Sequence, residues 1–326
     1  MKRAIIVGAD GQDGTLLAQL LTQRSIPHLG VGRTGLRESS GEKSGPIELG
    51  DAKAVEALVK AHPPSHVFYL AAHHHSSQDP LDAGLADLWA SSLEVQVLGL
   101  VHFLEALRLH APAARLFYAS SSHVFGSPAP SPQTEETPLA PDNIYGITKV
   151  AGMQACRHYR EQQGVFASVG ILYNHESIYR QDKFLSKKII RGALAIKQGR
   201  EQNLVLGNLS AEADWGYAPD YVEAMVRILD VPQTGDFIVA TGQLHTVREF
   251  VQIVFDQLGL DVSKHVIENS ALVRPGQGRL VGDTRRLEQA TGWRPTLSFE
   301  EMVRTLTRQI QGLEELAEKS GHPERR

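Results

Sequence analysis

The 326-residue sequence contains a single cysteine, Cys156, so it has neither a disulfide partner nor a thiolate cage for a metal. That suits a reducing compartment. Cationic excess is also lacking: 33 Lys and Arg against 37 Asp and Glu leave a formal charge of −4. A polyanion demands a clustered basic surface, so nucleic acid is not an expected partner. No run of 18 apolar residues reads as a membrane span, and Met1-Lys2-Arg3 leads straight into a short apolar run rather than a signal peptide. The expectation is a cytoplasmic protein without a membrane partner. No Gly/Ser linker and no internal repeat divide the chain. Its length, with 42% hydrophobic and 21% charged residues, allows one large domain or two unequal ones.

Short β-branched runs alternate with amphipathic stretches from the N-terminus, which predicts an α/β fold with a doubly wound parallel (Rossmann) sheet. Strands are expected at 4–8, 29–31, 47–49, 66–70, 116–119 and 167–172, and helices at 13–23, 52–61, 85–109 and 145–163. Beyond 172 the alternation weakens. Helices are expected at 183–198, 218–229, 247–258 and 299–315, with strands at 204–206 and 236–239. This divides the chain into a nucleotide-binding domain at 1–172, a smaller α/β lobe at 173–316 and a charged tail at 317–326. Part of 207–245 is expected to return to the first domain.

The stretch GADGQDG follows the first strand and opens the first helix. Gly8 permits the tight turn, Gly11 lets backbone approach a pyrophosphate, and Gly14 allows close helix packing, with the helix N-terminus offering free N–H groups to the anion. An NAD site usually ends the second strand in an acid, and here that acid is missing: GVGRTG places Arg33 there, where it would welcome the 2′-phosphate of NADP. Asp51, after LGD, is placed to meet the adenine amino group.

The stretch ASSSHVFG puts Ser121 and His123 at the end of the fifth strand, but no G-x-S-x-G elbow surrounds them, so a hydrolase pair is a poor reading. IYGITK offers a better one. Tyr145 and Lys149, four residues apart, share a helix face, where an ammonium lowers the pKa of a phenol from about 10 toward neutrality. Ser121 holding a hydroxyl or carbonyl, Tyr145 moving its proton, and Lys149 tuning Tyr145 while holding a nicotinamide ribose make machinery for hydride transfer at a secondary alcohol. The run His73-His74-His75 is not read as a metal site, because successive strand residues point to opposite faces.

Together with GQDGTLLAQLL, YLAAHHH, ILYNHES, LGNLSAEADWGYAPDYVEAM, FIVATGQLHTVREF and TGWRP, these residues resemble the extended short-chain dehydrogenase/reductase superfamily. Within it the chain resembles the GDP-mannose 4,6-dehydratase family over nearly its full length. The resemblance implies an NADP-dependent lyase in which hydride leaves C4, water is lost across C5 and C6, and hydride returns to C6. It implies cofactor contacts from Gly8, Gly11, Gln12, Asp13, Gly14, Arg33, Asp51, Leu70, Ala71, Tyr145, Lys149 and His175. It also implies a nucleotide-sugar substrate held by His75, Asn174, Lys188 and Arg274. The chain departs from the family at the centre: Ser121 replaces a threonine, His123 replaces the glutamate that takes the C5 proton, and Gln277 replaces a glutamate on the guanosine ribose. The loop after Arg33 is shorter than the one carrying the family's tetramer contacts, so a homodimer through 85–109 and 145–163 is expected. Two other readings stay open: a C4 oxidoreductase or epimerase that does not dehydrate, and a non-catalytic NADPH-binding regulator.

Overall fold

The computed structural model describes residues 3–73, 84–127, 129–269 and 279–319. Strand β1 (Ala4–Val7), buried along its whole length, leads through the glycine loop into α1 (Gln12–Gln23). Strand β2 (His28–Gly32) lies parallel to β1. The chain then doubles back, so that β3 (Gly35–Glu38) runs antiparallel to β2 and β4 (Lys43–Ser44) antiparallel to β3. The strand expected at 47–49 therefore does not form. The two-residue turn Arg33-Thr34, flanked by Gly32 and by Gly35 at φ +126°, closes a hairpin that occupies this edge of the sheet. Ile47 and Leu49 instead pack half-buried on the core, and His102 Nδ1 donates to the Leu49 carbonyl at 2.9 Å.

Helix α2 (Ala52–Ala61) leads to β5 (His66–Tyr69), which pairs with the other side of β1. The long helix expected at 85–109 forms as α3 (Leu85–Leu93), a π-helical turn over Glu94–Leu98, and α4 (Gly99–His110). Leu85–His110 is the one helix among the described residues long and apolar enough to cross a membrane. Its α4 half nevertheless buries Leu100, Phe103, Leu104 and Leu107 in the core. Then come β6 (Arg115–Ser121), a 3-10 turn over Ser122–Phe125, α5 (Ile144–Gln163) and β7 (Phe166–Leu172).

The remaining chain forms β8 (Asn174–Glu176), α6 (Leu185–Lys197), β9 (Leu204–Leu206), β10 (Glu212–Ala213), β11 (Trp215–Tyr217) and α7 (Ala218–Asp230). It continues as β12 (Asp236–Val239), β13 (His245–Thr246), α8 (Val247–Leu258), α9 (Val262–His265), β14 (Val266–Glu268), α10 (Arg285–Thr291) and α11 (Phe299–Lys319). The eight-stranded sheet has the order β12-β7-β6-β5-β1-β2-β3-β4, its first six strands parallel. Apolar clusters cover its two faces, and a third cluster joins α6, α8 and α11 around Trp215, Phe250 and Phe299. Because β6 and β7 run three residues beyond β5 at their C-terminal ends, Ser121 stands at the sheet edge where open parallel sheets bind ligands.

Candidate active site

Ser121 ends β6, its hydroxyl accepting from the His123 backbone N–H at 3.3 Å as the chain enters the 3-10 turn. Asn143 caps α5 through its side chain, accepting from the Gly146 N–H at 2.9 Å, which aims the first turn of that helix at Ser121. Tyr145 and Ser121 are hydrogen-bonded through their side chains. One turn on, Lys149 is 1% exposed, with Nζ donating to the Ala119 carbonyl at 2.7 Å and lying 5.5 Å from the centre of the Tyr145 ring. His123 meets Tyr145 edge-on, ring centres 5.9 Å apart, and the Asn143 amide nitrogen lies 3.4 Å from its Nδ1. All four residues expected to carry chemistry thus lie together where β6 ends and α5 begins.

Their ionisation differs from the sequence expectation. Burial pushes the Tyr145 phenol up to about 12, against the pull of the Arg180 guanidinium and the Ser121 hydrogen bond. Burial also pushes Lys149 down to about 7. Spacing alone predicted an ammonium that brings the phenol toward neutrality. Here desolvation penalises the charged form of both groups and wins. His123, although solvent-exposed, is likewise lowered from 6.5 by desolvation, with the Asp142 carboxylate opposing.

The glycine loop fits a dinucleotide diphosphate. Gly8 has φ +95°, and a Cβ there would stand 2.7 Å from the Ala71 nitrogen; one on Gly14 would stand 2.3 Å from the Gly8 carbonyl oxygen. Gly11 begins α1 in an extended conformation without a side-chain cap, leaving first-turn N–H groups to an anion. Leu70 and Ala71 follow β5 beside this loop, with the Leu70 N–H donating to the Val7 carbonyl at 2.8 Å. Arg33 is exposed at the hairpin turn. Asp51 caps α2, accepting from the Lys53 and Ala54 N–H groups, so an adenine contact would share that carboxylate with the helix.

Gln12, Asp13 and His175, all expected at the cofactor, bind one another. His175 Nε2 faces Asp13 Oδ1 and Oδ2 at 2.9 and 3.0 Å, while Nδ1 faces the Tyr173 carbonyl at 2.7 Å. Both acceptors need a proton from the ring, so His175 is an imidazolium. Desolvation works against that charge, but the Asp13 carboxylate outweighs it and raises the pKa above 6.5. Asp13 is lowered: burial alone would raise it, and the His175 charge and hydrogen bond overcome that. Ser177 donates to Gln12 Oε1 at 2.8 Å, and Tyr221 stacks on the imidazole at 4.5 Å, tying α1 to β8.

Removing the imidazole leaves a buried carboxylate uncompensated, so His175→Ala is expected to lower the unfolding free energy by about 3 kcal/mol. The raised His175 contributes fully below pH 6.5 and loses its contribution as pH rises through the folded pKa. The lowered Asp13 contributes above pH 3.8 and loses its contribution as pH falls through its folded pKa. The gap between wild type and variant in urea titrations should therefore be widest between those values. An equal gap at about pH 5 and about pH 9 would show an uncharged pair.

Asn174 and Lys188 are exposed on β8 and α6; the neighbouring Lys187 is buried, donating to the Ile178 carbonyl at 2.9 Å. His75, Arg274 and Gln277 lie outside the described residues. Sequence reasoning missed Arg180, whose guanidinium lies 3.8 Å over the Phe184 ring and 3.5 Å from the Glu176 carboxylate, and whose charge lowers the pKa of both Tyr145 and Asp13. Its only signal was its place just after NHES.

This geometry sits in a chain whose residues 5–306 match the GDP-mannose 4,6 dehydratase family. The chain belongs to that family. It is an enzyme of the extended short-chain dehydrogenase/reductase type. It is 33% identical to GDP-mannose 4,6 dehydratase 1 of Arabidopsis thaliana over 330 residues, covering 94% of this chain and 88% of that protein. With GDP-mannose 4,6 dehydratase of Homo sapiens it shares 30% over 343 residues, covering 93% and 90%. Among solved structures, RMD from Pseudomonas aeruginosa complexed with NADPH superimposes with TM-score 0.81 at 22% identity, covering 96% of this chain and all of that one. The dTDP-glucose 4,6-dehydratase of Bacillus anthracis in complex with NAD gives 0.80 at 19%, covering 97% and 98%.

Proposed function

We propose that this enzyme is an NADP-dependent 4,6-dehydratase of a GDP-hexose, GDP-mannose foremost, working through a 4-keto sugar with His123 as the base. The observation that carries the proposal is the His123 ring set edge-on to Tyr145, which is hydrogen-bonded to Ser121 and has Lys149 beside its ring. When bound, NADP would supply the hydride acceptor for C4 and the donor for C6. Ser121 holds the C4 oxygen and Tyr145 takes its proton. With a ketone at C4, the C5 proton becomes acidic enough for imidazole, and the imidazolium formed at His123 returns that proton to the departing C6 hydroxyl. Asn174, Lys188, His75 and Arg274 are the proposed contacts of the nucleotide sugar. The buried Cys156 thiol, held protonated by its apolar surroundings, suits a reducing cytoplasm.

The test is incubation with NADP+ and a panel of GDP-, UDP-, CDP- and dTDP-hexoses, with products read by mass. Loss of water from a GDP-hexose supports the proposal. A 4-keto or C4-epimeric sugar that keeps its water favours the oxidoreductase reading, which the missing glutamate at position 123 motivates.

The same proposal includes a homodimer. Leu85, Leu93 and Leu98 are 40–58% exposed along the α3 and π-turn face, and Ile147 at the start of the adjacent α5 is 38% exposed. Exposed large apolar side chains on neighbouring helices are what an association surface would use. Leu98→Glu is expected to convert a dimer to a monomer in light scattering. A wild type already monomeric at micromolar concentration would refute the dimer.

A further inference from the structure

Strand β2 has no acidic residue at its end, yet a carboxylate stands there. A Cβ built on Gly32, the last residue of β2, would fall 2.3 Å from Asp10 Oδ2 and 2.5 Å from its carboxyl carbon. Asp10 belongs to the glycine loop after β1, and its side chain crosses to lie directly over Gly32. From that place an acid reads the adenosine ribose of a dinucleotide. The carboxylate is oriented by its neighbours: the backbone N–H and hydroxyl of Thr34 both lie 3.4 Å from Oδ2, and Arg37 Nη2 lies 3.6 Å from Oδ1. These contacts are long, a carboxylate has about four lone-pair sites, and the Asp10 side chain keeps 25% of its surface open.

We propose that Asp10 is a specificity-determining residue at the ribose 2′ position, so that this site accepts a dinucleotide with a free 2′-hydroxyl as well as one with a 2′-phosphate. The inference rests on reading the glycine loop as a dinucleotide cradle and needs nothing from the sugar site. A 2′-hydroxyl donates to the Asp10 carboxylate, whereas a 2′-phosphate is repelled by it. Arg33, exposed at the hairpin turn, and Arg37, with 56% of its side chain exposed, supply the opposite charge. Arg37 can pair with Asp10 or with a phosphate, and that choice lets one site hold either nucleotide.

The test titrates NADH and NADPH into the full-length protein, followed by nucleotide fluorescence at one fixed salt concentration, without sugar. Wild type is expected to bind the two within about tenfold of each other. Asp10→Asn keeps an oxygen for Thr34 but removes the charge. It should weaken NADH roughly tenfold or more and leave NADPH equal or tighter, the scale of one hydrogen bond to a charged group. Arg33→Ala should weaken NADPH by a similar factor and spare NADH. Wild type preferring NADPH by more than about a hundredfold would overturn the proposal without any variant. So would an Asp10→Asn protein that loses both nucleotides equally; if its melting temperature also falls, Asp10 only braces the hairpin. If neither nucleotide binds wild type, the cradle reading fails and takes this inference with it, an outcome distinct from a shifted preference.

Discussion

His123→Ala is expected to stop the loss of water from a GDP-hexose while C4 oxidation continues, visible as NADPH absorbance that rises to about one equivalent per site and stays. In wild type the hydride returns at C6, so no reduced nucleotide should accumulate. The variant cannot form the C5–C6 alkene that accepts it. Removing a general base costs at least about 10²-fold, so dehydration should fall by that factor or more. The direction of the His123 pKa sets the pH profile. Desolvation holds it below 6.5, so the acidic limb of kcat/KM for dehydration should have its midpoint below the ordinary imidazole value, with the rate rising as the ring loses its proton. His123→Glu should keep or improve dehydration and move that limb toward carboxylate pH. A normal rate of water loss in the alanine variant would show that another group is the base.

The parallel sheet and the grouping of the site were legible because both are local. Four-residue spacing puts Tyr145 and Lys149 on one helix face, and a buried strand followed by glycine announces the loop at Gly8. What escaped depended on contacts across the chain. The pattern around Ile47 and Leu49 reads as a strand, but the hairpin turn at Arg33-Thr34 fills that edge first. Nothing near Asp13 in sequence shows that its carboxylate is neutralised by His175, 162 residues away. Asp10 carries no signal of its own within GADGQDG, and only the fold lays it over Gly32. Ionisation was the least legible of all. Spacing supplies the sign of the interaction between Lys149 and Tyr145, but burial decides its outcome, and burial is a property of the assembled site.

Tyr145→Phe is expected to slow C4 oxidation by at least about 10²-fold, because the ring still packs while the proton carrier is gone. The phenol sits at about 12, so at pH 7 it is protonated and cannot accept the C4 hydroxyl proton without passing on its own. Lys149 is the neighbouring group that changes state in this range: its amine is held down to about 7 and lies 5.5 Å from the centre of the Tyr145 ring. Single-turnover oxidation in wild type should therefore rise with pH through about 7, as Lys149 loses its proton. In Tyr145→Phe the residual rate should be flat across the same range, and in Lys149→Met the step near 7 should vanish although Tyr145 is intact. An unchanged rate in the phenylalanine variant would remove Tyr145 from the chemistry. A wild-type profile without a step near 7 would leave Tyr145 in place but show that the ionisation of Lys149 does not govern the oxidation.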